Sequence, residues 1–122
     1  MLSVIIPTKQ REDIFYDTVI ALDRALQSFD YDYEVIIVNN DNKSLSIALP
    51  SDFKLINCNN GGVAAARNMG AKYANGDILL FLDNDILISA ESLQKGYNYF
   101  INFFFSRRQY YYWYKLLMPY FF

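Results

Sequence analysis

Two rhythms of apolar and polar positions run along this chain. Residues 2–6 form a short β-branched run closed by Pro7, which reads as a central parallel strand, since such strands are covered on both faces and tolerate little else. Phe15, Val19, Leu22, Leu26 and Phe29 then recur at alternating spacings of four and three, so they share one face of a helix. Residues 34–38 read as a second buried strand, ended by Asn39-Asn40-Asp41-Asn42, a polar cluster suited to a loop. Residues 53–58 are a weaker third strand. Asn59-Asn60-Gly61-Gly62 turns into an alanine-rich helix over 63–74, with Asn75-Gly76 expected to place a glycine just past its end. Residues 77–82 form a fourth strand. The order strand, helix, strand, strand, helix, strand predicts the α/β class, a mostly parallel sheet with helices on both faces. From about Tyr97 the periodicity is lost, and aromatic residues fall on every helical face. The expected organisation is therefore a domain over residues 1–96 followed by an aromatic-rich, helical segment over 97–122.

The fourth strand ends in Asp83-Asn84-Asp85. Acids leaving a buried strand together emerge at the carboxyl edge of the sheet, where open α/β folds bind ligands. Two carboxylates there suit a hard divalent cation, Mg2+ or Mn2+, which commonly also takes phosphate oxygens of a substrate. A net charge of -2 and a pI near 4.9 supply no basic field for nucleic acid, so none is expected as a partner. With no histidine the chain lacks the commonest base and transition-metal ligand. The single cysteine, Cys58, excludes an internal disulfide and reads as a small buried hydrophobe in a reducing, cytoplasmic setting. The N-terminus carries no basic region of a signal peptide, and no uncharged apolar run reaches the ~18 residues of a membrane span.

Four segments together carry a resemblance. Ser3-Val4-Ile5-Ile6-Pro7-Thr8 with Arg11, the strand from Glu34 to Val38 before its polar loop, Asn60-Gly61-Gly62 through Ala66-Arg67-Asn68-Met69-Gly70, and Leu82-Asp83-Asn84-Asp85 resemble the nucleotide-sugar-binding half of a family-2 glycosyltransferase with the GT-A fold. The likeness covers about residues 2–95. It implies a Rossmann-like donor half that binds a nucleoside-diphosphate sugar, UDP-type, through Mn2+ or Mg2+, in an enzyme class that often builds surface polysaccharide. Pro7, Thr8 and Arg11 would lie near the nucleoside, with Gly61 and Gly62 in the turn that leads to Arg67. Arg67 would face the diphosphate, Asp83 and Asp85 would form the metal-binding DxD motif, and Asn84 would lie beside the substrate. Where the family usually carries an aspartate after the second strand, this chain has Asn39, with Asp41 as a substitute base contact.

Read from the residues alone, each feature has an ordinary alternative. Asp83 and Asp85 could be a solvated strand end, Arg67 a surface residue, Gly61-Gly62 a plain turn, and Thr8 and Arg11 caps of the first helix. A strand ending in Asp-x-Asp also occurs in aspartate-nucleophile phosphatases, but these need further acids downstream. After Asp85 the sequence offers Glu91 alone, too little for that site and poorly placed as the base for an acceptor hydroxyl. The acceptor half is therefore expected to be absent and the general base with it, leaving a donor-binding remnant as the non-enzyme alternative. The aromatic segment admits three readings: an oligomer or core helix, a contact with the cytoplasmic membrane face through its tyrosines and Arg107, Arg108 and Lys115, or the product of a frameshift in A/T-rich DNA.

Overall fold

The computed structural model of the chain describes residues 1–59 and 61–107. Its elements are β1 (Leu2–Thr8), α1 (Glu12–Gln27), β2 (Tyr33–Asn39), β3 (Phe53–Asn57), α2 (Val63–Tyr73), β4 (Ile78–Phe81) and α3 (Ala90–Arg107). The strands make one four-stranded sheet in the order β3-β2-β1-β4, and each neighbouring pair is parallel. Side chains alternate across a strand, so the two parities of β1 and β2 feed different cores. Leu2, Val4, Ile6, Val35 and Ile37 pack with Phe15, Val19 and Leu22 of α1 and Leu93, Tyr97 and Phe100 of α3. On the opposite face Ile5, Ile36 and Val38 pack with Cys58 and with Ala66 of α2. The result is the expected α/β arrangement, with α1 and α3 over one face and α2 over the other.

Three local expectations are corrected. Pro7 does not stop β1, which runs on to Thr8 opposite Asn39. Ile5 O accepts from Leu82 N on the β4 side and Thr8 O accepts from Asn40 N on the β2 side. By that alternation the missing Pro7 donor faces the β4 side, past the last residue of β4, where no ladder bond is lost. Phe29 lies beyond the end of α1, and its ring sits edge-on to Tyr97 at 5.0 Å between centroids. Gly76 does not close α2 in a left-handed conformation; Ala74 ends the helix at φ -74° and ψ 138°. Position 76 needs glycine for space, because a Cβ there would lie 2.5 Å from Ser3 Oγ and 2.6 Å from Met1 O. The change of composition at Tyr97 falls within α3, and Tyr97 and Phe100 are buried in the main core. The readings of residues 108–122 lie outside the described residues. Among the described residues, no helix is long and apolar enough to cross a membrane.

The amino edge of the sheet is closed around one carboxylate. Ser3 Oγ and Asn75 N donate to Glu34 Oε1 at 2.6 and 2.5 Å, while Lys54 Nζ and Asn75 Nδ2 donate to Oε2 at 2.7 and 3.2 Å. Burial alone would push the Glu34 carboxyl up, but the bonds from Lys54, Ser3 and Asn75 outweigh it and hold the group at about 2. These contacts tie β1, β2, β3 and the turn into β4 together.

Candidate functional site

The opposite, carboxyl edge opens into a cleft. β1 and β2 end as the register pair Thr8 and Asn39, and β4 ends beside Ile5, so three strands release their loops on one side. Between them lies a cavity of about 370 Å³ lined by Pro7, Thr8, Lys9, Arg11, Asn40, Val63, Arg67, Asp83, Asn84 and Asp85. Seven of the residues singled out in the sequence, Pro7, Thr8, Arg11, Arg67, Asp83, Asn84 and Asp85, thus share one space. Val63, at the start of α2, puts the first turn of that helix at the wall, where backbone N–H groups favour an anion.

The acidic turn is held from several directions. Leu82 N donates to Ile5 O at 3.0 Å, extending the β4 ladder by one bond before the chain leaves the sheet. Ile86 N donates back to Asp83 O at 3.3 Å. Asn84 Nδ2 donates to Thr8 Oγ1 at 3.2 Å, and Thr18 Oγ1 donates to Asn84 O at 2.9 Å. From the other wall Arg67 Nη2 donates to Asp83 Oδ1 at 3.0 Å. Asp85 projects to an exposed position. Among the described residues no cluster of three or more metal-ligating side chains exists. Two carboxylates flanking one residue do fit Mg2+ or Mn2+, which take one or two carboxylates and complete their shell with phosphate oxygens and water.

Other predicted residues fall elsewhere. The structure does not bring Asn39 into this cleft. Its amide donates to Lys43 O and Asn57 Oδ1, and with Asp41 it lines a second cavity of about 340 Å³ beside Gln10 and Glu12. Its neighbour Asn40 lines the main cleft instead. The reason is strand parity: Ile36 and Val38 face α2, and Asn40, which extends the ladder by donating to Thr8 O, continues their side. Asn40 is 6% exposed, its amide donates to Gly61 O at 2.5 Å, and its Oδ1 has no partner among the described residues. Gly61 takes φ +125°, a conformation open to glycine, and so presents that carbonyl. Gly62 occupies the cap position of α2 and accepts from Ala66 N. Arg11 sits at the cap position of α1 but makes no side-chain cap bond; it and Gln10 adopt left-handed backbone near φ +57° and +58°. Glu91 does not line the cleft; it is exposed on α3 and held below the usual carboxylate range by its bond to Lys95 Nζ at 2.6 Å. Asn40, Lys9 and Thr18 were not singled out in the sequence. Counting parity one residue past the strand would have found Asn40, whereas Thr18 lies hidden within an apolar helix face.

The chain thus carries an acidic turn and an arginine at the carboxyl edge of a parallel α/β sheet, and comparison with known proteins shows its family. The sequence profile described as Glycosyl transferase family 2 matches residues 3–112. The chain belongs to that family. It is 32% identical over 100 residues to the uncharacterized glycosyltransferase YfnE of Bacillus subtilis strain 168, covering 76% of this chain and 25% of YfnE. Its fold is similar to that of TarS from S. aureus, with a TM-score of 0.67 and 25% identity over 83% of this chain and 19% of TarS. TarS 1–349 in complex with UDP-GlcNAc gives a TM-score of 0.58 at 25% identity, over 83% of this chain and 31% of that one. The chain therefore spans from about a fifth to a third of the length of these relatives.

Proposed function

We propose that the cleft binds the nucleoside-diphosphate part of a sugar donor, UDP-type, so that the sugar can be transferred to an acceptor hydroxyl. The observation that carries this reading is the convergence on one cavity of Asp83 and Asp85, Arg67, Thr8 and Asn40, whose buried amide oxygen has no hydrogen-bond partner among the described residues. That oxygen can accept a hydrogen bond from a base N–H, in the role the sequence had offered to Asn39. Arg67 and the first turn of α2 face the space for a diphosphate, whose negative charge grows as the bond to the sugar breaks. Asp83 and Asp85 would hold Mn2+ or Mg2+, which, when bound, neutralises charge on the departing diphosphate. The UDP-GlcNAc complex of the similar TarS fold supports the choice of ligand class.

Removing the acceptor proton needs a further group. The carboxylates lining the cleft are Asp83 and Asp85, both engaged by the donor in this reading. The second reading is a unit that binds the donor without transferring it. UDP at millimolar concentration with Mn2+ is expected to raise the melting temperature, since a ligand that binds the native state alone must stabilise it. Asp85→Ala is expected to abolish the rise. An unchanged melting temperature in the wild type would sink the proposal. UDP release from UDP-GlcNAc on adding acceptor would decide between transfer and binding alone.

A further inference from the structure

A hydroxyl inside the core of α1 has no packing reason to be there. Thr18 is fully buried beside Phe15, Val19 and Leu22, and valine, of nearly the same shape, would fill that space without a polar group to satisfy. Within a helix a threonine hydroxyl commonly bonds the carbonyl one turn back. This one leaves its helix and donates to Asn84 O at 2.9 Å, across 66 positions of sequence. The acceptor is the middle residue of Asp83-Asn84-Asp85. The same residue is held at its other end, where its amide donates to Thr8 Oγ1, itself 3% exposed. Asn84 is thus pinned by two buried threonines from two different elements, one on its main chain and one on its side chain.

We infer that Thr18 is a positioning residue for the acidic turn: through Asn84 it sets how Asp83 and Asp85 enter the cleft together. The inference rests on the donor-site reading above. The Asn84 carbonyl belongs to the peptide unit that leads into Asp85, and the bond from the Asn84 side chain to Thr8 holds the residue that follows Asp83. A turn free to rotate there would present one carboxylate at a time. Supporting groups behind metal-binding side chains affect affinity without touching the ion, by about tenfold or more when removed.

The test is Thr18→Val in the full chain, with Thr18→Ser as the conservative variant. UDP affinity is measured by calorimetry with Mn2+ and again with a chelator. In the wild type Mn2+ is expected to tighten UDP. In Thr18→Val that gain falls by about tenfold, while affinity in chelator stays at the wild-type value, and Thr18→Ser restores the gain. Val19→Ala, which removes core packing beside Thr18 without a hydrogen bond, lowers the melting temperature but keeps the gain. A Thr18→Val protein with an undiminished Mn2+ gain overturns the inference alone. Failure of the wild type to bind UDP with Mn2+ overturns the donor site and the inference with it. A Val19→Ala protein that loses the gain as fully as Thr18→Val also overturns the inference, since loosening the core would then suffice.

Discussion

The two edges of the sheet both gather acids, and they use them in opposite ways. At the amino edge Glu34 receives four hydrogen bonds from Ser3, Lys54 and Asn75, and is 7% exposed. At the carboxyl edge the Asp83 carboxylate accepts a bond from Arg67 with its side chain 48% exposed, and Asp85 stands out in solvent. A saturated buried carboxylate has no valence left for a ligand and acts as a clamp. Carboxylates on a well-held backbone with open lone pairs are prepared for something that arrives. The difference is therefore a test of which acids are structural, and it applies to every acid on this chain.

The comparison breaks most visibly at Glu34. Glu34→Ala leaves Lys54, Ser3 and the Asn75 N–H without their acceptor and is expected to cost about 2–4 kcal/mol by urea denaturation. The UDP affinity of the folded fraction should not change, and a loss below about 1 kcal/mol would show the clamp to be idle. Its charge also gives a pH signature. The folded group sits at about 2 against 4.5 in the unfolded chain, so its contribution is complete above pH 4.5 and drains away as pH falls from there toward about 2. Stability of Glu34→Gln should be flatter than the wild type across that acid window. Parallel curves would remove the carboxylate from the account.

A smaller loss is expected from Gly76→Ala at the same edge. Besides Ser3 Oγ the new Cβ meets Met1 O at 2.6 Å and Ser3 N at 2.8 Å, backbone that cannot step aside cheaply, and about 1–3 kcal/mol should be lost in thermal or urea melts. At the cleft edge the pattern inverts. Asn40→Ala removes one buried bond to Gly61 O, worth about 1 kcal/mol of stability. It should weaken UDP equally with and without Mn2+, which separates a base contact from a metal contact. Arg67→Lys is the mildest, below about 1 kcal/mol in the ligand-free protein because the pair with Asp83 is part-exposed. Lysine keeps the charge and loses the planar fork, so weaker UDP binding with little change in melting temperature is the expected outcome. A large stability loss at Arg67 would move it to the structural side of the comparison.

Much of this was legible in the chain itself. The largely apolar runs at residues 2–6 and 34–38 have a local cause, burial on both faces, and reappear as the inner strands β1 and β2, while residues 77–82 reappear as β4 at an edge of the sheet. The helix of alternating spacings and the Asp83-Asn84-Asp85 strand end were equally readable, because period and position along the sequence carry them. Misreadings came where a residue's role depends on a neighbour far along the chain. Pro7 looks like a stop until β4 is seen to end before it, and Gly76 looks like a helix cap until Ser3 and Met1 are seen against it.

What the sequence determined by itself was the class: the order of elements, the apolar faces, and the acids at the carboxyl edge, since each follows from local patterning and from side-chain chemistry. Tertiary structure decided which asparagine enters the cleft, that Glu34 is a clamp, that Arg67 spans to Asp83, and that Thr18 reaches Asn84. Those are contacts between segments up to 66 positions apart. Their geometry is set by how the helices lie across the sheet, a property that no stretch of the chain contains alone.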